Sequence, residues 1–367
     1  MEHEIAHTSA WPERAKNTAT LAMAASILVG STACSALSYD TGPEPTSLTT
    51  TYPTDKFDVA CDIIPDETIA ATEVLFVADQ AEGVADKPKW HIAQELGLTV
   101  YDFTNSKYGH FMGATHELYN EEISVDVAIS TAKDFLDLYG VELITTAAAD
   151  DIHGQLGVRP YTQSELDAVD TGRLKRQLVD FIHSLSDLPV ELVHYMGLKR
   201  VILAHGPIYD NGASTAAGFV DPSDPDLSTV YINPYFPTDG ILLHEMFHLW
   251  DMKECGPQGT LEDSQYHELN PTPDLYENHD GYRSVESEWD GANGENVVVT
   301  RDYGFFNIVE DKATMGASLL TPFQLNRIFN VYDSPILQEK ALLLLARIND
   351  DRPELAKYLA ATHSDWQ

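Results

Sequence analysis

Basic residues are scarce in this chain. Its 367 residues hold 22 Lys and Arg against 58 Asp and Glu, a formal charge of -36 at neutral pH. Nucleic-acid binding rests on Lys and Arg contacts to phosphate, so that class of partner is excluded. The same charge gives a strongly solvated surface and would draw in a cationic peptide. Cysteine is scarce too, at three residues, which rules out a disulfide-dense scaffold. Beyond the N-terminal region no apolar run has membrane-spanning length, and no internal repeat is evident. Apolar residues make up 43%, enough for a substantial core in one large domain or two ordinary ones.

The N-terminal region has Arg14 and Lys16, then a short apolar run from Thr18 to Gly30, then Ser31-Thr32-Ala33-Cys34. A basic start, an apolar stretch and small residues form an export signal. The ending resembles a bacterial lipoprotein signal, in which the cysteine is lipidated and becomes the new N-terminus. The expectation is a signal over 1–33, lipidation at Cys34 and an extracytoplasmic protein, lipid-anchored to the cell membrane or secreted. An uncleaved anchor or an ordinary cleaved signal are the alternatives. Residues 34–55 are rich in Ser, Thr, Pro and Gly and read as a flexible stalk. The remaining cysteines, Cys61 and Cys255, either pair in an oxidising compartment or stay as two buried thiols.

Residues 56–160 give a mixed pattern: an accessory domain, or the first half of a larger one. Glu73-Val-Leu-Phe-Val77 reads as a strand, and Val125 to Tyr139 has helical spacing. From 161 to 367 the pattern sharpens. Thr171 can cap a helix running to Leu185, and Val190 to Met196 forms a short second one. Arg200 to Ala204 and Ser228 to Asn233 are strands. After Thr321 the chain reads as three helices, ending near Thr362. A small sheet followed by helices is an α+β arrangement. The acidic turn at 221–226 lacks calcium-loop spacing. His205, His267 and His279 read as polar loop residues.

The most informative residues are His244-Glu245-Met246-Phe247-His248, an H-E-x-x-H motif. Histidines four apart on a helix share a face and can address one metal ion, and the glutamate between them can take a proton from a water there. Apolar neighbours, among them Leu242, Leu243, Leu249 and Trp250, indicate a buried helix, where a metal would compensate the polar cluster. A core helix with merely hydrogen-bonded histidines is the bland alternative. A catalytic zinc takes three protein ligands. In one known class a third histidine follows six residues after the second and is preceded by a glycine; those positions hold Glu254 and Asp251 here, so an acidic ligand further along is considered. Glu310, opening an apolar helical stretch, is the best candidate.

Taken together these residues resemble the catalytic domain of anthrax lethal-factor-like zinc metallopeptidases, of the gluzincin type. The carriers are His244-Glu245-Met-Phe-His248-Leu-Trp-Asp251, Glu310-Asp311-Lys312-Ala313, and Tyr303 seven residues before Glu310. The resemblance covers roughly 165–350. Thr314 departs from it, standing where that family usually has an acid. The resemblance implies a zincin-like domain with a small mixed sheet and C-terminal helices. It implies Zn²⁺ on His244, His248 and Glu310, Glu245 as the base and Tyr303 as oxyanion donor. Asp251 and Asp311 would support the ligands from behind, Asp251 by holding a histidine or capping the metal helix. Strand 229–233 would pair with an extended substrate. The expected function is a zinc-dependent endopeptidase on the bacterial cell surface, acting as a monomer on peptides or proteins. A non-catalytic surface binding protein with a structural zinc is the alternative.

Overall fold

The computed structural model describes residues 61–78, 87–103, 106–112, 123–147, 160–204, 217–222, 224, 226–235, 240–277, 282–284, 297–332 and 334–363. The signal, Cys34 and the stalk lie outside them, as do His205 and His279.

The chain forms a small mixed sheet with helices packed around it. Helices α1 (Asp66–Ala78), α2 (Lys89–Glu95), α3 (Lys107–Met112) and α4 (Val125–Leu138) precede strand β1 (Glu142–Ile144). Helices α5 (Gln163–Leu166), α6 (Thr171–Ser186) and α7 (Val190–Tyr195) lead into β2 (Arg200–Leu203), β3 (Gly218–Val220) and β4 (Thr229–Ile232). Then come α8 (Ile241–Leu261), α9 (Ser264–Glu268), the short strands β5 (Arg283–Ser284) and β6 (Val297–Val299), and a 3-10 turn at Asp302–Phe305. Four helices follow: α10 (Ile308–Leu319), α11 (Pro322–Asn330), α12 (Pro335–Asp351) and α13 (Pro353–His363).

The main sheet has the order β1-β2-β4-β3, with β1, β2 and β4 parallel and β3 antiparallel on the edge. The inner strands read Arg200-Val-Ile-Leu203 and Thr229-Val-Tyr-Ile232, near-continuous apolar runs typical of strands covered on both faces. Phe219 stands opposite Tyr231 across the β3–β4 ladder, and their rings stack at 4.8 Å. A continuous core extends from Ile64 to Ala361. Because β1 pairs with β2, the chain before residue 161 contributes a strand to the same sheet.

Several sequence expectations change. Glu73 to Val77 lies inside α1, not in a strand. Its apolar run is too short to fix a period, and the surroundings choose the helix, with Phe76 buried and Asn349 of α12 donating to Thr72 at 3.1 Å. Helix α6 is capped by Asp170, which accepts from the Arg173 amide, with Thr171 as its first residue. His267 sits in α9 rather than a loop. Cys61 and Cys255 are disulfide-bonded across 194 residues of sequence, tying the start of the described chain to the end of α8.

Candidate metal centre

Helix α8 follows Gly240, whose amide donates to Asp180 of α6 at 2.8 Å, a cap supplied by a neighbouring helix. Every residue from Ile241 to Trp250 is buried. The helical backbone breaks at Gly256, where φ is +66°. Helix α10 starts on Asn307, whose side chain accepts from the Glu310 amide at 2.9 Å. The two helices approach closely because Gly316 has no side chain. A Cβ there would stand 1.9 Å from the Phe247 ring.

This packing brings Glu310 to the two histidines. Its Oε2 lies 3.0 Å from His244 Nε2 and 3.4 Å from His248 Nε2, and the two Nε2 atoms are 3.1 Å apart. All three residues are buried. Donors around a tetrahedral zinc, with bonds of about 2.1 Å, stand roughly 3.4 Å from one another. The triangle therefore matches such an ion. Two imidazole nitrogens and a carboxylate oxygen turned inward on one point are poorly matched as hydrogen-bond partners, and Glu310 Oε1 and His248 Nδ1 have no hydrogen-bond partner among the described residues. A cation would satisfy the cluster, and the N₂O donor set suits zinc.

The charges within the cluster are skewed by burial. Desolvation pushes His244 below its ordinary pKa. Burial, the largest single effect, acts the same way on His248, but the charge and hydrogen bond of Glu310 together with the charges of Glu245 and Asp251 hold that ring above its ordinary value. Burial opposes ionisation of Glu310, yet the His248 charge and both imidazole hydrogen bonds keep it at about 2. Glu245, also buried, is pushed up to about 8, with burial the largest cause.

Tyr303 is half-buried in the 3-10 turn, with its ring centroid 5.9 Å from that of His244. It also stacks on Phe306 at 6.0 Å, a ring exposed to solvent. The motif residues thus gather as follows: three ligand candidates in contact, Glu245 on the same buried helix, and Tyr303 beside His244.

Three supporting roles differ from expectation. Asp251 neither touches a histidine nor ends the helix; it lies within α8 and binds Lys312 Nζ at 2.8–2.9 Å. Asp311 meets Lys340 Nζ at 2.6 Å and Tyr276 Oη at 3.0 Å, not a ligand. In each case a buried lysine ammonium, and not a ligand side chain, holds the carboxylate. Strand β4 has β2 on one side and β3 on the other, so it has no free edge for a substrate. Thr314, at the departing position, turns its hydroxyl back to the Asp311 carbonyl at 3.0 Å.

Sequence reasoning counted Ala-Ala-Gly at 216–218 toward the family resemblance but gave Gly218 no role. A Cβ there would stand 2.8 Å from Glu245 Cγ and 2.9 Å from its Oε1, so the glycine lets edge strand β3 lie directly against Glu245. The Ala216-Ala217-Gly218 run carried the signal: small residues before a strand mark close backbone approach. Lys312, Lys340 and Arg347 were also missed, because a buried cation looks like a surface one until its partners are placed.

No protein-family model, no curated protein and no solved structure matches this chain.

Proposed function

We propose that this protein is a zinc-dependent endopeptidase of zincin-like architecture, akin to the lethal-factor-like metallopeptidases. The observation that carries the reading is the convergence of His244, His248 and Glu310 within 3.0–3.4 Å, with Glu245 between the histidines on the same buried helix. His244 and His248 on α8 and Glu310 on α10 would hold the ion. When bound, it supplies a Lewis acid that polarises the scissile carbonyl and eases deprotonation of water.

The remaining steps belong to the side chains. Glu245 takes the water proton at its carboxylate and delivers it to the departing amine nitrogen. Tyr303, whose ring lies beside that of His244, would donate a hydrogen bond from its hydroxyl to the carbonyl oxygen as negative charge develops. An extended peptide pairs with β3, the edge strand that Gly218 brings against Glu245, and so replaces the substrate role expected of β4. A structural zinc would need neither a base nor an oxyanion donor, which favours the enzyme over the binding-protein alternative.

The Cys61–Cys255 disulfide supports an exported protein, since such bonds persist in oxidising compartments. With the signal-like N-terminus, this fits a surface enzyme, lipid-anchored at Cys34 or released.

The test is zinc content of the protein from residue 35 beside its Glu310→Ala variant. One zinc per chain, lost or much weakened in the variant, supports the reading and leads to peptide-library screening. Equal zinc in both removes Glu310 and the family argument. No zinc in either removes the enzyme.

A further inference from the structure

We infer that Lys312 is a positioning residue that sets the register between the two helices carrying the candidate ligands; this rests on the metal reading above. Lys312 is fully buried, two residues after Glu310 on α10. Its ammonium meets Asp251 of α8 at 2.8 Å and Asp263, just before α9, at 3.3 Å. Arg347 of α12 closes the group with a bidentate pair to Asp263, at 2.7 and 2.9 Å. Two carboxylates face two cations, so the buried quartet is neutral. Asp263 also caps α9 by accepting from the Tyr266 amide at 3.1 Å. One ionic group thus joins α8, α9, α10 and α12.

Stability is a weak reason for such a group. Desolvation offsets much of the attraction, and well-packed apolar replacements are often neutral or stabilising. Directional contacts do give register. Sliding one helix by a single residue moves it about 1.5 Å, whereas metal–donor distances tolerate about 0.2 Å. The contact between Gly316 and Phe247 limits how close the helices come. Lys312 limits how they slide and turn. Residues two apart on a helix do not face the same way. Glu310 and Lys312 therefore grip α8 from different sides of α10, and His248 and Asp251, three apart on α8, receive them.

The test compares wild type, Glu310→Ala, Asp251→Asn, and the neutral double variant Lys312→Met/Asp251→Asn, which leaves the Asp263–Arg347 pair in place. The readouts are zinc affinity by chelator competition, the absorption spectrum of the cobalt-loaded protein, and thermal unfolding of the metal-free protein. The expected result is a double variant that unfolds cooperatively, binds zinc about 10- to 100-fold more weakly and has an altered cobalt spectrum. Asp251→Asn gives a smaller loss of the same kind. A folded double variant with wild-type zinc affinity and cobalt spectrum overturns the inference. If the double variant does not fold, wild-type affinity in Asp251→Asn overturns it equally. Zinc binding that Glu310→Ala abolishes but the double variant keeps removes this inference alone. No zinc on the wild type removes the metal reading and this inference together.

Discussion

At the scale of single residues, the chemistry turns on Glu245. It is buried between two ligand candidates, and edge strand β3 lies against it at Gly218. Burial pushes its pKa from 4.5 to about 8 in the metal-free protein. The unfolded chain loses this proton near 4.5 while the folded one keeps it to about 8, so the folded state binds more protons in between. Stability from this group is full below the unfolded value and lost as pH rises through the folded one. The metal-free protein should therefore unfold more easily at pH 8 than at pH 5, and Glu245→Gln should flatten that dependence. Thermal scans at a series of pH values read this directly. The same variant, loaded with zinc, should keep its metal and lose peptide hydrolysis by about 10²- to 10⁴-fold, the usual worth of a general base. Unchanged turnover would remove Glu245 from the mechanism.

At the scale of elements, the site is a contact between two helices. Helix α8 supplies the histidines, α10 supplies the glutamate, and the distance between them is set where Phe247 lies against Gly316. Gly316→Ala should drive a methyl into that ring and cost about 1–3 kcal/mol, the range for overpacked cores. Urea unfolding measures the loss, and zinc affinity should fall with it. Adding Phe247→Leu should recover part of both, since the two sites share one contact. A fully tolerated Gly316→Ala would mean that the helices can separate without harm to the triangle. Sequence pattern located both helices and their motif residues, because H-E-x-x-H and a 3.6-residue period are local signals. It could not supply the partners of Asp251 and Asp311. These come from Lys312 and from Lys340, the latter on a helix whose neighbours only the fold determines.

At the scale of the whole molecule, the first described helix packs against the last two, α12 and α13. The disulfide links Cys61 to Cys255, and Gln265 binds both the amide and the carbonyl of Ile64, at 3.0 and 2.9 Å. Helix α1 packs on α12, with Tyr358 of α13 donating to the Asp187 carbonyl at 2.7 Å. A bond closing so long a loop removes much unfolded-chain entropy. Cys61→Ser/Cys255→Ser should lower unfolding free energy by about 2–4 kcal/mol. Wild type measured with a dithiol reductant should match it. An equal denaturation midpoint for variant and oxidised wild type would show that the N-terminal segment docks without the bond.

Sequence alone determined what depends on near neighbours. It pointed to the α+β class, the buried helix that carries His244 to His248, the C-terminal helices, and the residue types able to hold a metal and move a proton. Short apolar stretches stayed ambiguous, which is why Glu73 to Val77 looked like a strand and folded as helix. Tertiary structure decided everything requiring two distant segments. It joined Glu310 to the histidines, put β3 rather than β4 on the sheet edge, bonded Cys61 to Cys255 and sank three cations beneath the site. The physical reason is range. Periodicity and capping act within one or two helical turns, whereas ligand geometry, edge accessibility and buried ion pairs depend on which surfaces the core brings together.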